Sequence, residues 1–232
     1  MLNKVSGFTT SPLLRHLIGQ PCSSFDFRWL TDNSKTLLCD LPKRALGEDV
    51  SFLLGSLIVT KLSVAALSRQ DAPEQHRRPH VPFVDEAHCF LHGVDFPTIL
   101  GEGRKYRLVV TIATQTMNQL PEKSLAALFG NCATIIRCRV SGEDAEILKR
   151  EFATLLQASE FQELEDYKLC VRTLVPGRPR GLHLIRAFPR LAATGQENSR
   201  ERVVRTGLQR FGRSRAQVAG RINRFLSRRQ ST

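Results

Sequence analysis

Residues 81–86, Val-Pro-Phe-Val-Asp-Glu, join a short apolar run to two adjacent carboxylates. A run this short and apolar reads as a buried strand whose C-terminal end meets solvent. Arg107 to Thr114 (RLVVTIAT) and Ala133 to Val140 (ATIIRCRV) have the same character. Helical patterns fall between them. Strands that alternate with helices predict an α/β fold with an open, mostly parallel sheet flanked by helices.

The helical segments carry their own end signals. Residues 48–69 open with Glu48 and Asp49, which suit a first turn, and Val50, Leu53, Leu54, Leu57, Ile58 and Leu62 follow at helical spacing. Asp95 caps a short helix with Pro97 near its start, running to about Lys105. Pro121 opens a helix that stops at Gly130. Ser141-Gly-Glu-Asp144 has the form of a capping box, followed by Ala145, Leu148, Phe152 and Leu155; Ser159 to Gln162 repeats the device. Lys35 to Leu41 (KTLLCDL) predicts a further strand. Tyr167 to Leu174 and Gly181 to Arg186 predict a terminal antiparallel pair across the turn Pro176-Gly177.

The 232 residues have a formal net charge of +12, and the charge is concentrated at one end. From Arg186 to Thr232 there are twelve Arg, no Lys and two Glu, so this segment carries +10. A polyanionic partner follows, such as nucleic acid or an anionic membrane face, and on nucleic acid the contact would be to phosphates. The candidate contacts are Arg200, Arg202, Arg205, Arg210, Arg213, Arg215, Arg221, Arg224, Arg228 and Arg229. No base-reading motif accompanies them. Val203, Leu208, Phe211, Val218, Ile222 and Phe225 recur among the arginines, so residues 190–232 read as a basic tail, partly helical or disordered, with a solvated flexible tail the favoured form.

Of the six cysteines, Cys39, Cys132, Cys138 and Cys170 lie in apolar runs and read as reduced core residues; no C-x-x-C or zinc spacing occurs. The run Phe52 to Leu67 is broken by Lys61 and reads as too short to span a bilayer. The N-terminus has no apolar signal core. A cytoplasmic protein is expected, with membrane association only through an N-terminal part or a partner.

Two carboxylates at a strand end suit nucleotide hydrolysis. Asp85 offers the hard oxygen that Mg²⁺ prefers, and Glu86 can orient or deprotonate an attacking water. Thr114 and Gln115 end the next strand, and Glu102, Arg104 and Lys105 lie between the two. Polar groups at successive strand ends converge on the crevice where an open α/β sheet binds ligand. His88 reads as a partly buried, hydrogen-bonded residue, and Arg137 and Arg139 read as members of structural ion pairs. No G-x-x-x-x-G-K-[ST] phosphate loop occurs in the 232 residues.

The runs FVDEAHCF, ILGEGRKYRLVVTIATQTMNQLP and LFGNCATIIRCRVSGEDAEILKREF resemble the C-terminal half of the HerA/FtsK superfamily of P-loop ATPases. The similarity is greatest to TraG/TraD-type coupling proteins of conjugation and type IV secretion and to HerA-like DNA translocases, and it covers roughly residues 13–190. The resemblance implies a partial RecA-like domain over residues 1–189 that lacks the phosphate-loop strand. It implies ATP and Mg²⁺ as cofactors. Asp85 is then the Walker B metal carboxylate and Glu86 the catalytic base. Gln115 becomes the γ-phosphate sensor, Thr114 a nucleotide contact and Arg104 a finger reaching a neighbouring subunit. Gly103 departs from the pattern, standing where alanine is usual.

In this family the phosphate-loop strand lies between the sensor strand and the strand after it, here 107–114 and 133–140. Either a separate chain fills that position or the two strands close on one another. The expected function is that of an ATP-driven, helicase-like DNA translocase fragment, inactive alone and a ring homo-oligomer when intact. Its partner would be a phosphate-loop-bearing N-terminal half or subunit. The alternatives are a non-catalytic DNA-binding remnant that completes a partner ATPase, and a small basic DNA-binding regulator.

Overall fold

The computed structural model describes residues 11–91, 93–152, 157–189 and 199–230. The chain divides into two compact units, one of residues 1–55 and 193–232 and the other of residues 56–192.

In the larger unit, β1 (Phe83–Val84) pairs in parallel with β2 (Thr111–Ile112). A bridge between His80 and Leu108 extends the pairing toward the N-terminal ends. The amides of Val109, Thr111 and Ala113 donate to the carbonyls of His80, Pro82 and Val84, each at 2.9 Å. A separate three-stranded antiparallel sheet runs in the order β3 (Thr134–Arg137), β4 (Lys168–Thr173), β5 (Gly181–Arg186). The antiparallel pair forms where its residue pattern predicts.

The mostly parallel sheet does not form among the described residues. There is one parallel pair, and β3 joins β4 antiparallel. No ladder joins β2 to β3, so these strands do not close on one another. Lys35 to Leu41 forms no strand either. An apolar run becomes a strand only where a neighbouring strand takes its N–H and C=O groups, and this run pairs with none among the described residues.

One apolar core underlies both sheets. It includes Ala87 and Leu108 beside the parallel pair, Ile135 and Cys170 on the antiparallel sheet, and Leu148, Phe152 and Phe161 on helices. We number the helices α1 (Pro12–Ile18), α2 (Phe27–Asp32), α3 (Lys43–Leu46), α4 (Glu48–Leu67), α5 (Phe96–Glu102), α6 (Glu122–Asn131), α7 (Gly142–Phe152), α8 (Ala158–Gln162), α9 (Ser199–Phe211) and α10 (Arg215–Gln230). On α7, Ala145, Leu148 and Phe152 are buried at the expected spacing, whereas Leu155 lies outside the described residues.

The capping signals act differently from their sequence reading at two places. Asp144 does not complete a box with Ser141; its carboxylate reaches another segment (below). At α8 the box is formed by Gln157 and Glu160, two residues ahead of the Ser159 motif. Asp95 does cap α5, accepting from the amide of Thr98 at 3.4 Å with Pro97 in the first turn.

Helix α4 continues as a tight turn to Asp71. Over Glu48–Asp71 it is long and apolar enough to cross a membrane, by length and composition alone, contrary to the expectation that this run is too short. Ala65, Ala66 and Arg69 near its end are buried in protein. The Arg69 guanidinium donates to the carbonyls of Arg78 and Tyr106, each at 2.9 Å.

In the smaller unit, Val218 of α10 and Leu14 of α1 are buried, and Ile222 lies against Gly19. Phe25 meets Phe211 edge-on with ring centroids 5.7 Å apart. Residues 199–211 and 215–230 are therefore helical, with apolar positions that hold them in place. All six cysteines are free thiols. Cys170 is buried and Cys132 half-buried, but Cys39 and Cys138 are exposed, so the core assignment fails for these two. Cys39 belongs to the run that forms no strand. Cys138 follows the last paired residue of β3, where alternation turns it away from the core.

Candidate functional site

The C-terminal ends of β1 and β2 bring five sequence-selected residues into one place. The amide of Ala87 donates to the carbonyl of Ala113 at 2.9 Å, which ties the turn after β1 to the end of β2. Glu86 occupies the left-handed region, φ +51°. A non-glycine residue held there stores of order 1–3 kcal/mol of strain, and such residues cluster at functional sites. The amide of Glu86 donates to Asp85 Oδ1 at 3.0 Å.

Across the pair, the Gln115 side-chain amide donates to Glu86 Oε1. His88 Nδ1 lies 3.1 Å from Thr114 Oγ1 and 3.5 Å from Glu86 Oε2. Thr114 Oγ1 in turn donates to the carbonyl of Thr116 at 2.9 Å. Asp85, Glu86, Thr114, Gln115 and His88 thus share one sheet edge, with Asp85 and Gln115 exposed and the others half-buried.

Asp144, which the sequence offers only as a helix-end residue, anchors this edge. It is buried, and both of its carboxylate oxygens accept the amide of Met117 at 3.1 Å. Oδ1 also accepts the amide of Asn118 at 3.3 Å. A carboxylate that takes two backbone amides fixes the loop carrying Gln115. Next to it, the Asn118 side chain donates to Glu143 at 2.6 Å. No local signal marks this role, because the donors lie 26 and 27 residues away in the chain.

Arg104 is exposed in the turn Gly103–Tyr106 that follows α5, and among the described residues it forms no ion pair with Glu102. It is not part of the carboxylate–glutamine cluster by any described contact. Gly103 beneath it is buried, and a Cβ there would meet Leu108 at an ordinary 3.5 Å. Alanine therefore fits, and the departure at this position is sterically neutral.

Arg137 and Arg139 do not behave alike. Arg139 pairs with Asp166 at 3.3 Å. Arg137 is only 5% exposed and makes no ion pair among the described residues; its guanidinium stacks 3.4 Å from the centroid of Phe161. Burial pushes its pKa down, and the neighbouring Cys170 acts in the opposite sense. The buried ion pair of this region belongs instead to Arg172. It meets Glu151 and donates to the carbonyls of Phe129 and Cys132 at 3.2 and 3.1 Å.

The basic residues lie on α9, α10 and the link between them. Arg200, Arg202, Arg205, Arg210, Arg213, Arg215, Arg221, Arg224 and Arg228 are all exposed; the side chain of Arg229 lies outside the described residues. Arg221, Arg224 and Arg228 recur at i, i+3 and i+7, which puts them in one stripe along α10. Val218, Ile222 and Leu226, at i, i+4 and i+8, form a separate apolar row.

No family model and no curated protein matches the chain. Solved structures do. The plasmid coupling protein TrwB, in complex with ADP and Mg²⁺, is similar with a TM-score of 0.60 at 18% identity, over 84% of this chain and 52% of that one. TrwB with the non-hydrolysable GTP analogue GDPNP gives 0.60 at 19% identity, over 82% and 49%. The bacterial conjugative coupling protein TrwB with an N-terminal deletion, in complex with sulphate, gives 0.55 at 20%, over 68% and 42%. The chain shares the α/β fold of these proteins and spans about half their length.

Proposed function

We propose that residues 1–232 form part of a nucleotide-driven DNA translocase, with its hydrolytic edge at the ends of β1 and β2 and its DNA-contacting surface on α9 and α10. The observation that carries this reading is the bond from Gln115 to Glu86. It joins a strand-end carboxylate to a strand-end amide from the neighbouring strand, with a second carboxylate one residue away. In an open α/β fold that edge is where ligand binds.

Glu86 aligns and deprotonates the attacking water, and the Gln115 amide holds its carboxylate in place. Asp85 suits Mg²⁺. It is an exposed oxygen donor, and among the described residues only its Oδ1 is engaged, by the amide of Glu86. When bound, Mg²⁺ would neutralise charge on the transferred phosphoryl oxygens. Thr114 contacts nucleotide, and Arg104 reaches the triphosphate of an adjacent subunit in a ring. Arginine suits this because it stays charged and engages phosphate in a bidentate manner.

A second reading is favoured by one further set of observations. Val110 and Ile112 turn their amides away from β1, and Thr134 and Ile136 turn theirs away from β4, by the alternation of the ladders. None of these four has a backbone partner on that side among the described residues. With no phosphate-loop motif in the 232 residues, this supports a chain that hydrolyses ATP only once a phosphate-loop-bearing strand, from an N-terminal half or a partner subunit, lies between β2 and β3. On this reading residues 1–232 alone bind DNA without turnover.

Calorimetry with Mg-ATP separates the two. Binding by residues 1–232 alone supports a self-sufficient site; binding only with the phosphate-loop-bearing partner supports completion in trans. In whichever assembly hydrolyses ATP, Glu86→Gln is expected to abolish turnover and retain nucleotide binding. Arg104→Ala is expected to lose turnover unless mixed with subunits that keep the arginine. Full activity in Glu86→Gln would exclude the assigned base.

A further inference from the structure

We infer that His88 is a positioning residue that locks the Glu86 carboxylate to the end of β2, in a tautomer chosen by Thr114. The inference rests on the reading of Glu86 as the base. A threonine hydroxyl has one proton. At Thr114 that proton is committed, because the carbonyl of Thr116, 2.9 Å away, can only accept. Toward His88 Nδ1, at 3.1 Å, Thr114 Oγ1 must therefore accept. Nδ1 is then the nitrogen that carries hydrogen in the neutral ring.

That same Nδ1 lies 3.5 Å from Glu86 Oε2, while Gln115 donates to Oε1. Oε1 of Glu86 thus accepts directly from Gln115, and Oε2 faces the same Nδ1–H of His88 as a second, more distant acceptor, the nearer one being Thr114 Oγ1. The backbone adds a third constraint, since Glu86 is held at φ +51° and the next amide is bound to Ala113. With its side chain only 17% exposed, His88 has little room to turn to the other tautomer's geometry. The chain of contacts continues from Thr116 to the amides of Met117 and Asn118 and so to buried Asp144. A shift of that loop would reach Glu86 through both donors at once.

The test is imidazole ¹⁵N spectroscopy on residues 1–232 with labelled histidine. The His88 signals are identified by their loss in His88→Asn. The expected result is the Nδ1–H tautomer in the wild-type chain, with that preference lost in Thr114→Val. An Nε2–H tautomer, or a His88 spectrum unchanged by Thr114→Val, would overturn the proposal. A second readout is the Gln115 side-chain amide signal, held downfield by its bond to Glu86. It should move toward the free-amide position in His88→Ala. It should return in His88→Asn, whose amide nitrogen occupies the place of Nδ1, and not in His88→Gln, whose nitrogen corresponds to Nε2. An equal signal in all three variants would count against it. Should His88→Ala fail to fold, the wild-type tautomer still decides. None of these readouts needs nucleotide or turnover, so a failed hydrolytic reading and a failed positioning role remain distinguishable.

Discussion

Buried Asp144 and half-buried His80 show how single groups hold this molecule. Asp144 accepts two backbone amides, of Met117 and Asn118 in the loop after β2, that have no other partner among the described residues. Removing a buried acceptor leaves both donors unsatisfied, which costs roughly 2–3 kcal/mol. We expect Asp144→Ala to lower the urea-unfolding free energy by about that amount and to broaden the Gln115 resonances; Asp144→Asn, which keeps one acceptor, should lose less. His80 works through charge. Its pKa lies below the ordinary value near 6.5, because burial disfavours the cation and Arg69 repels it. The native state then binds fewer protons than the unfolded chain, so stability is full above about 6.5 and falls as pH drops through the lower folded value. Urea midpoints measured from pH 7.5 down to 5 should decline, and His80→Gln should flatten that slope.

Among the elements, α10 presents the clearest surface. Its apolar face holds Val218 and Ile222 against protein, which leaves Arg221, Arg224 and Arg228 on the solvent side. Each phosphate contact on duplex DNA contributes about 0.9 to the slope of log K against log salt. Replacing the three arginines with glutamine should therefore reduce that slope by up to about 3 and weaken binding equally for unrelated sequences. A binding isotherm that keeps its salt dependence would remove α10 from the interface. The element pattern also shows what periodicity can and cannot reveal. Helices over 48–67, 96–102, 122–131 and 142–152 form where caps and spacing predict them. Lys35–Leu41 does not become a strand, because periodicity reports which side chains are apolar and not whether a partner edge exists. Asp85, Glu86, Thr114 and Gln115 could be grouped from strand ends alone; Asp144 could not, because its contact is long-range.

For the whole molecule the decisive feature is the separation of the two sheets. The outward faces of their strands carry apolar side chains in solvent: Val81 is 60% exposed, Phe83 67%, Val109 52% and Ile136 61%. Parallel strands are ordinarily buried on both faces, so these side chains and the backbone edges left unpaired among the described residues describe a sheet open to a further element. Amide hydrogen exchange should read this directly. In residues 1–232 alone, Val110, Ile112, Thr134 and Ile136 should exchange far faster than Ile135 or Cys170, and a partner strand between β2 and β3 should protect them. Slow exchange at all four positions without a partner would mean that the edges are already satisfied. The sequence by itself determined the strand-end carboxylates, the helix boundaries and the concentration of arginine at one end, because these depend on neighbours within a few residues. Only the tertiary structure decided which edges pair, that Asp144 faces a loop rather than its own helix, and that Glu86 is gripped from β2, because each depends on groups brought together from distant parts of the chain.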